Sequence, residues 1–173
     1  MSLETARLSL KPCLPEHILM LIEQPDRLEQ ATGFPPAAGV REMFTSGEVS
    51  ADWLAALRVA HGPDPWRYGF FLVHAESGAL IGTAGFKGPP DSTGTVEIAY
   101  GVAPGFEGHG YATEAAGALV AFAFDAPQVN VVRAHTLPAA NASGRVLTKC
   151  GFQHVGAVVD PDDGPVWRWE RRR

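Results

Sequence analysis

The stretch Tyr100-Gly101-Val102-Ala103-Pro104-Gly105-Phe106-Glu107-Gly108-His109-Gly110-Tyr111-Ala112 has the composition of an anion-binding turn. Glycines at 105, 108 and 110 let backbone N–H groups approach a ligand with no Cβ in the way. An apolar helix reads from Tyr111, and its first turn adds unsatisfied N–H donors and a partial positive charge. A phosphate or pyrophosphate suits such a site, although a glycine-rich turn that binds nothing has the same composition. Two familiar phosphate loops do not fit. A P-loop needs Lys-Ser or Lys-Thr after its last glycine, whereas Gly110 is followed by Tyr111-Ala112. A dinucleotide fingerprint needs GxGxxG and an acid ending the next strand; here the order is GxxGxG, and Asp125 ends a helix.

A carboxylate lies just upstream. Strand parity puts Thr95, Glu97, Ala99 and Gly101 on one face and Val96, Ile98, Tyr100 and Val102 on the other. The small residues beside Glu97 leave room for a substrate, so Glu97 is a candidate general base; a solvated carboxylate or salt-bridge partner is the competing role. Asn141 and Ser143 open the last helix, where both are ordinary N-cap residues. The histidines at 17, 61, 74, 109, 135 and 154 lack HxxxH spacing, so no metal is expected. His109 either contacts an anion or faces solvent, and His135 reads as a structural strand residue. Trp167 and Trp169 alternate with Arg168 and Glu170, marking a packed face near a dimer or substrate edge. Arg171-Arg172-Arg173 reads as a solvated run.

Interleaved strand and helix patterns must position these groups. Thr5–Leu10 alternates as a first strand, and Pro15–Leu28 is a helical stretch broken at Pro25. Ala31–Ser46, rich in Gly and Pro, reads as an irregular loop beside the substrate end. Ser50-Ala51-Asp52 opens a helix through Ala60, with Trp53, Leu54, Leu57 and Ala60 on one stripe. Trp66–His74, Leu80–Lys87 and Thr95–Val102 form an antiparallel meander joined by short turns. Tyr111–Asp125, apolar nearly all round, predicts a buried helix. Val129–Leu137 is a strand, Asn141–Cys150 a helix, and Phe152–Val159 and Val166–Arg171 are closing strands. The class is α+β: a mixed sheet, antiparallel in its first half, with helices packed on it.

Composition limits the alternatives. A chain of 173 residues with 46% hydrophobic side chains suits a single domain over 1–173. Net charge −5 and a pI near 5.6 argue against a nucleic-acid binder held by bulk charge. Apolar runs such as Gly69–Val73 are too short to span a bilayer. Met1-Ser2-Leu3-Glu4 lacks the basic and apolar regions of an export signal. Cys13 and Cys150 lack CxxC spacing and read as reduced, packed thiols, so a cytoplasmic location is expected.

Glu107-Gly108-His109-Gly110-Tyr111-Ala112-Thr113-Glu114-Ala115 resembles the acyl-CoA pyrophosphate loop of the GNAT N-acetyltransferase superfamily, whose pattern is Arg/Gln-x-x-Gly-x-Gly/Ala. Three further stretches are similar to its ribosomal-protein-alanine acetyltransferase branch. They are Thr5-Ala6-Arg7-Leu8-Ser9-Leu10, Val96-Glu97-Ile98-Ala99-Tyr100-Gly101-Val102, and Asn141 through Phe152. Order and spacing fit from residue 4 to about 170. The resemblance implies the GNAT fold: about six to seven strands, splayed at the centre, with about four helices on the sheet's faces.

It also implies acetyl-CoA as co-substrate and a primary amine as acceptor, either a protein N-terminal α-amine or a small-molecule amine, handled by a monomer or homodimer. The amine attacks the thioester carbonyl and CoA leaves as thiolate. Glu97 takes the base role and Ser143 reaches the departing sulfur, although a hydroxyl is a poor acid. Val102, Gly108, His109, Gly110, Tyr111, Ala112 and Asn141 take the CoA side, with backbone N–H groups near Val102 stabilising the oxyanion. Two positions depart from the pattern. Glu107 stands where Arg or Gln is usual, which weakens affinity unless its carboxylate points away. Leu147 replaces a Tyr that protonates the thiolate in many members, though the branch commonly lacks it. Both departures suit a second reading, a non-catalytic acyl-CoA-binding module. A phosphate-binding domain unrelated to CoA is a third.

Overall fold

Residues 1–47 and 49–173 are described by a computed structural model. Strands β1 (Leu3–Glu4) and β2 (Leu8–Pro12) lead into helix α1 (Pro15–Glu23), a 3-10 turn at Pro25–Arg27 and α2 (Leu28–Thr32). Then come α3 (Glu42–Thr45), α4 (Ala51–Val59), α5 (Pro65–Tyr68), β3 (Phe70–His74), β4 (Leu80–Phe86) and β5 (Thr95–Val102). A 3-10 turn at Pro104–Phe106 precedes α6 (Tyr111–Asp125), β6 (Val131–Thr136), α7 (Ala142–Lys149), β7 (Gln153–Asp160) and β8 (Gly164–Arg172).

The strands form one sheet in the order β1-β2-β3-β4-β5-β6-β8-β7. Among the described residues its one parallel pair is β5–β6, and α6 makes the crossover that parallel neighbours require. Both sheet faces are covered. Leu8, Leu10, Leu72, Ile81, Val96 and Ile98 pack against the Ala115, Ala116, Leu119 and Ala123 face of α6. Phe71 and Leu80 point the other way, onto Ile18, Leu21, Leu28 and Leu57. β3, covered on both sides, therefore reads as a continuous apolar run, Phe70-Phe71-Leu72-Val73. The alanines let α6 lie close to the sheet, and each fully buried leucine, such as Leu119, contributes about 2 kcal/mol.

The α+β architecture agrees with the sequence expectation, with eight strands and seven helices among the described residues instead of six to seven and four. The extra helices α2, α3 and α5 are single turns, too short to show a helical period. Two of them, α3 and the end of α2, fall inside Ala31–Ser46, so that segment is not wholly irregular. The expected first strand, Thr5–Leu10, begins only at Leu8, because Thr5 N–H donates to Leu8 O and closes a turn. Trp66–His74 is likewise split: Pro65 starts a helical turn, and Gly69, at φ 68°, redirects the chain into β3.

Candidate active site

The site begins where two strands part. β5 and β6 pair from Thr95↔Val131 to Glu97↔Arg133 and no further. Beyond that point β5 stays with β4 as far as Val102, while β6 follows β8 to Thr136. Lys87 N–H donates to Glu97 O and Ala103 N–H to Ile81 O, so the odd-numbered residues of β5 direct their amides toward β4. Tyr100 and Val102 therefore direct theirs into the gap that β6 has left. Buried backbone groups are almost always paired, so this open edge is suited to an extended ligand carrying its own amides.

The glycine loop closes one end of the gap. Gly108 and Gly110 have φ of 76° and 85°, the left-handed region that glycine supplies without strain. Among the described residues, the amides of Gly108, His109, Gly110, Tyr111 and Ala112 donate to no protein acceptor. The first amide of α6 to find one is Glu114 N–H, bonded to Gly110 O at 3.2 Å. Six unused donors, those five and Thr113, at the start of a 15-residue helix make a cradle that fits a diphosphate. Glu107 is exposed.

Arg7, which the sequence offered only as a polar strand position, stands beside the loop. Its guanidinium carbon lies 4.4 Å from the centre of the Tyr111 ring, and a Cβ built on Gly110 would sit 3.1 Å from one of its terminal nitrogens. Glu114 holds Arg7 through Nε, accepting also from Arg7 N–H (2.9 Å) and the Thr5 hydroxyl (2.7 Å). Burial alone raises the Glu114 carboxyl, but these three donors and the guanidinium charge outweigh it and leave it below its ordinary value. Arg7 thus supplies positive charge near a loop that carries the acidic Glu107.

At the other end of the gap a pocket of about 410 Å³ is lined by Lys87, Glu97, Tyr100, His135, Asn141 and Ser143, among others. Lys87 Nζ is 3.0 Å from Glu97 Oε2 and 3.7 Å from Asp163. Burial pulls the Lys87 ammonium downward, yet Glu97, with Asp163 and Asp160, lifts it above its ordinary value, so it stays charged. Glu97 Oε2 is buried, and among the described residues Lys87 is its ion-pair partner. His135, on β6, faces Glu97 Oε1 from Nδ1 at 3.3 Å. Its Nε2 accepts from Arg168 Nε at 3.0 Å. His135 thus flanks the carboxylate at 3.3 Å, with no hydrogen bond between Nδ1 and Glu97 among the described residues.

The candidates named from sequence divide clearly. Glu97 and Ser143 line the same pocket, and Asn141 stands at its rim. Asn141 Oδ1 accepts from Gly144 N–H at 2.9 Å, an N-cap for α7. Burial pushes the Tyr100 phenol up to about 12, against a hydrogen bond with Ser143, so Tyr100 remains protonated next to that hydroxyl. Val102 contributes its backbone edge while its side chain packs against the core. His109 is exposed in the loop, 6.0 Å from the Tyr111 ring. Leu147 is fully buried in the core. A Cβ on Gly144 would approach Trp169 to 3.2 Å, so this glycine lets α7 bring Asn141 and Ser143 up to the gap.

Sequence reading does not single out Lys87, Arg168 or Arg7, and it reads His135 as structural. The signal was cross-strand register: Lys87 stands opposite Glu97, and His135 pairs with Arg168. Cys13 and Cys150 are free and buried, and burial pushes both thiols up, as inert packed cysteines require.

Comparison with known proteins agrees with this geometry. Residues 7–153 match the acetyltransferase (GNAT) domain family. An uncharacterized N-acetyltransferase p20 from Bacillus licheniformis is 30% identical over 91 residues, covering 53% of this chain and 51% of that protein. The matched region thus spans about half the length of this curated relative. Among solved structures, RimL, a ribosomal alpha-N-protein acetyltransferase in complex with coenzyme A, superposes with a TM-score of 0.68 at 12% identity, covering 99% of this chain and 98% of that one. An aminoglycoside acetyltransferase in complex with coenzyme A gives 0.61 at 23%, covering 96% and 95%. At these identities the two structures speak to fold alone.

Proposed function

The chain belongs to the GNAT acetyltransferase family, and from that premise we propose that it transfers an acetyl group from acetyl-CoA to a primary amine, with a protein N-terminal α-amine as acceptor. The observation that carries this reading is the parting of β5 from β6, which leaves the Tyr100 and Val102 amides unpaired between a donor-rich loop and a pocket holding Glu97 and Ser143.

Bound acetyl-CoA supplies an activated acetyl thioester. The amides of Gly108, His109, Gly110, Tyr111 and Ala112 hold its diphosphate, and the open edge of β5 lines its pantetheine arm. An ammonium group does not attack a carbonyl, so the acceptor must lose a proton first. A peptide α-amine, with pKa near 8, needs less help than a lysine-type amine. Glu97, flanked by His135, takes that proton directly or through a water. The incoming ammonium competes with Lys87 for the same carboxylate, and entry of the acceptor displaces Lys87 toward Asp163. Val102 N–H points at the developing oxyanion. Ser143, with the Tyr100 phenol beside it, donates toward the departing sulfur. The ribosomal-protein acetyltransferase branch and a cytoplasmic setting are part of this proposal; no helix among the described residues is long and apolar enough to cross a membrane.

The test is to incubate the protein with acetyl-CoA and a panel of peptide and small-molecule amines and follow free thiol. Thiol release dependent on a peptide α-amine is expected. Turnover confined to small-molecule amines would move the acceptor class. Calorimetric binding of CoA with no turnover on any amine would instead identify a regulatory module, the reading that Glu107 and Leu147 favour.

A further inference from the structure

Lys87 puts a primary amine of the chain itself where an acceptor's amine has to stand. It follows β4 directly, and its N–H donates to Glu97 O at 2.9 Å, so the two residues stand opposite each other. Its flexible stem carries Nζ to 3.0 Å from Glu97 Oε2 and 3.7 Å from Asp163 Oδ2, in the turn between β7 and β8. Lys87 thus crosses the Glu97 pocket from one turn to another, and Ser143 and Tyr100 line the same pocket. The lysine side chain is 48% exposed against 19% for Glu97, so the amine is free to turn while its carboxylate partner is fixed.

Two properties of this contact set its reactivity. Because Nζ is tethered, it meets the carboxylate whatever the concentration of outside amine, the advantage that favours intramolecular attack. Against this, Glu97 and Asp163 hold the ammonium in its charged form, so the free amine forms rarely. Transfer to Lys87 is therefore slow beside turnover on a peptide α-amine, which is partly free at neutral pH.

Resting on the acetyltransferase reading above, we infer that Lys87 is an internal acceptor: with no outside amine present, the protein acetylates its own Lys87 Nζ from bound acetyl-CoA. Glu97 takes one proton from the ammonium, and the Nζ lone pair attacks the thioester carbonyl. A C–N bond forms, the C–S bond breaks, and the second N–H proton passes to the departing CoA sulfur. The product is a neutral amide, so Glu97 and Asp163 lose the cation they shared.

The experiment incubates the full chain with acetyl-CoA alone and locates acetyl groups by peptide mass spectrometry. The lysines are Lys11, Lys87 and Lys149, and the exposed Lys149 reports uncatalysed acylation. Lys87 is expected to label at least tenfold faster than Lys149, at a rate per molecule independent of protein concentration. A saturating peptide amide should suppress that labelling several-fold. Glu97→Gln should slow Lys87 labelling more than tenfold and leave Lys149 unchanged, whereas an uncatalysed reaction would run faster once the pairing carboxylate is gone. Labelling of Lys87 no faster than Lys149, a rate that rises with protein concentration, or faster labelling in Glu97→Gln would overturn the inference. Turnover on a peptide amide without Lys87 labelling would overturn it too, and would leave the transferase reading standing. Absence of both, with CoA still bound, would remove that reading and this assignment together.

Discussion

The two halves of β5 share one strand but not the same neighbours. Thr95–Glu97 is paired on both sides, by β4 and its following turn and by β6, and carries Val96 into the core. Ile98–Val102 is paired with β4 but loses β6, and its free edge borders the Glu97 pocket through Ile98, Ala99 and Tyr100. Glu97 stands at the junction, the last residue of β5 in register with β6. Fold and chemistry are thus separated by a loss of pairing within a single strand. Substitutions on the two sides should fail differently: one set in stability, the other in turnover or CoA affinity.

The largest effect belongs to the junction. Glu97→Gln should lower kcat by about 10²- to 10³-fold, with a melting temperature near wild type, because Gln keeps the shape facing Lys87 and His135. Equal rates would return Glu97 to the role of a salt-bridge residue. On the packed side, Leu119→Ala in α6 should cost about 3 kcal/mol of unfolding free energy, read by denaturant titration, while kcat/KM at low temperature stays close to wild type. A matching loss of turnover would blur the division between the halves. At the loop, Gly110→Ala must hold a Cβ at φ 85° beside the Arg7 guanidinium. A cost of about 1–2 kcal/mol should appear mainly as a several-fold higher KM for acetyl-CoA with the amine KM unmoved.

The smallest effect is electrostatic. The Glu114 carboxyl is held below its ordinary value, so its ionised form stabilises the folded chain at neutral pH. That contribution is present above the unfolded pKa and disappears as pH falls through the depressed folded one. Glu114→Gln should therefore destabilise by about 1 kcal/mol or less at pH 7, and its stability curve should meet the wild-type curve below about pH 4.

How much of this was legible depended on sequence distance. The bounds of β5 and α6 were read to the residue, because each is a long run with an unbroken period and a glycine or proline at its margin. Glu97 followed from parity and the loop from its glycines, both local properties. The pairing of Lys87 and His135 with Glu97 required the register of β4 and β6 against β5, and no local pattern encodes that. Arg7 is more distant still: its partner Glu114 lies 107 positions away and meets it only because α6 crosses over β2. The turn at Thr5 and the single-turn helices were lost for the opposite reason, being shorter than any period that would reveal them.

Residue-resolved amide spectra, recorded as coenzyme A is titrated into the protein, address the central claim most directly. The account predicts that Gly108, Gly110, Tyr111, Ala112, Tyr100 and Val102 amides shift and become protected from exchange, while those of β3 stay unchanged. Saturable binding that leaves these six amides unmoved, with shifts clustered elsewhere, would contradict it.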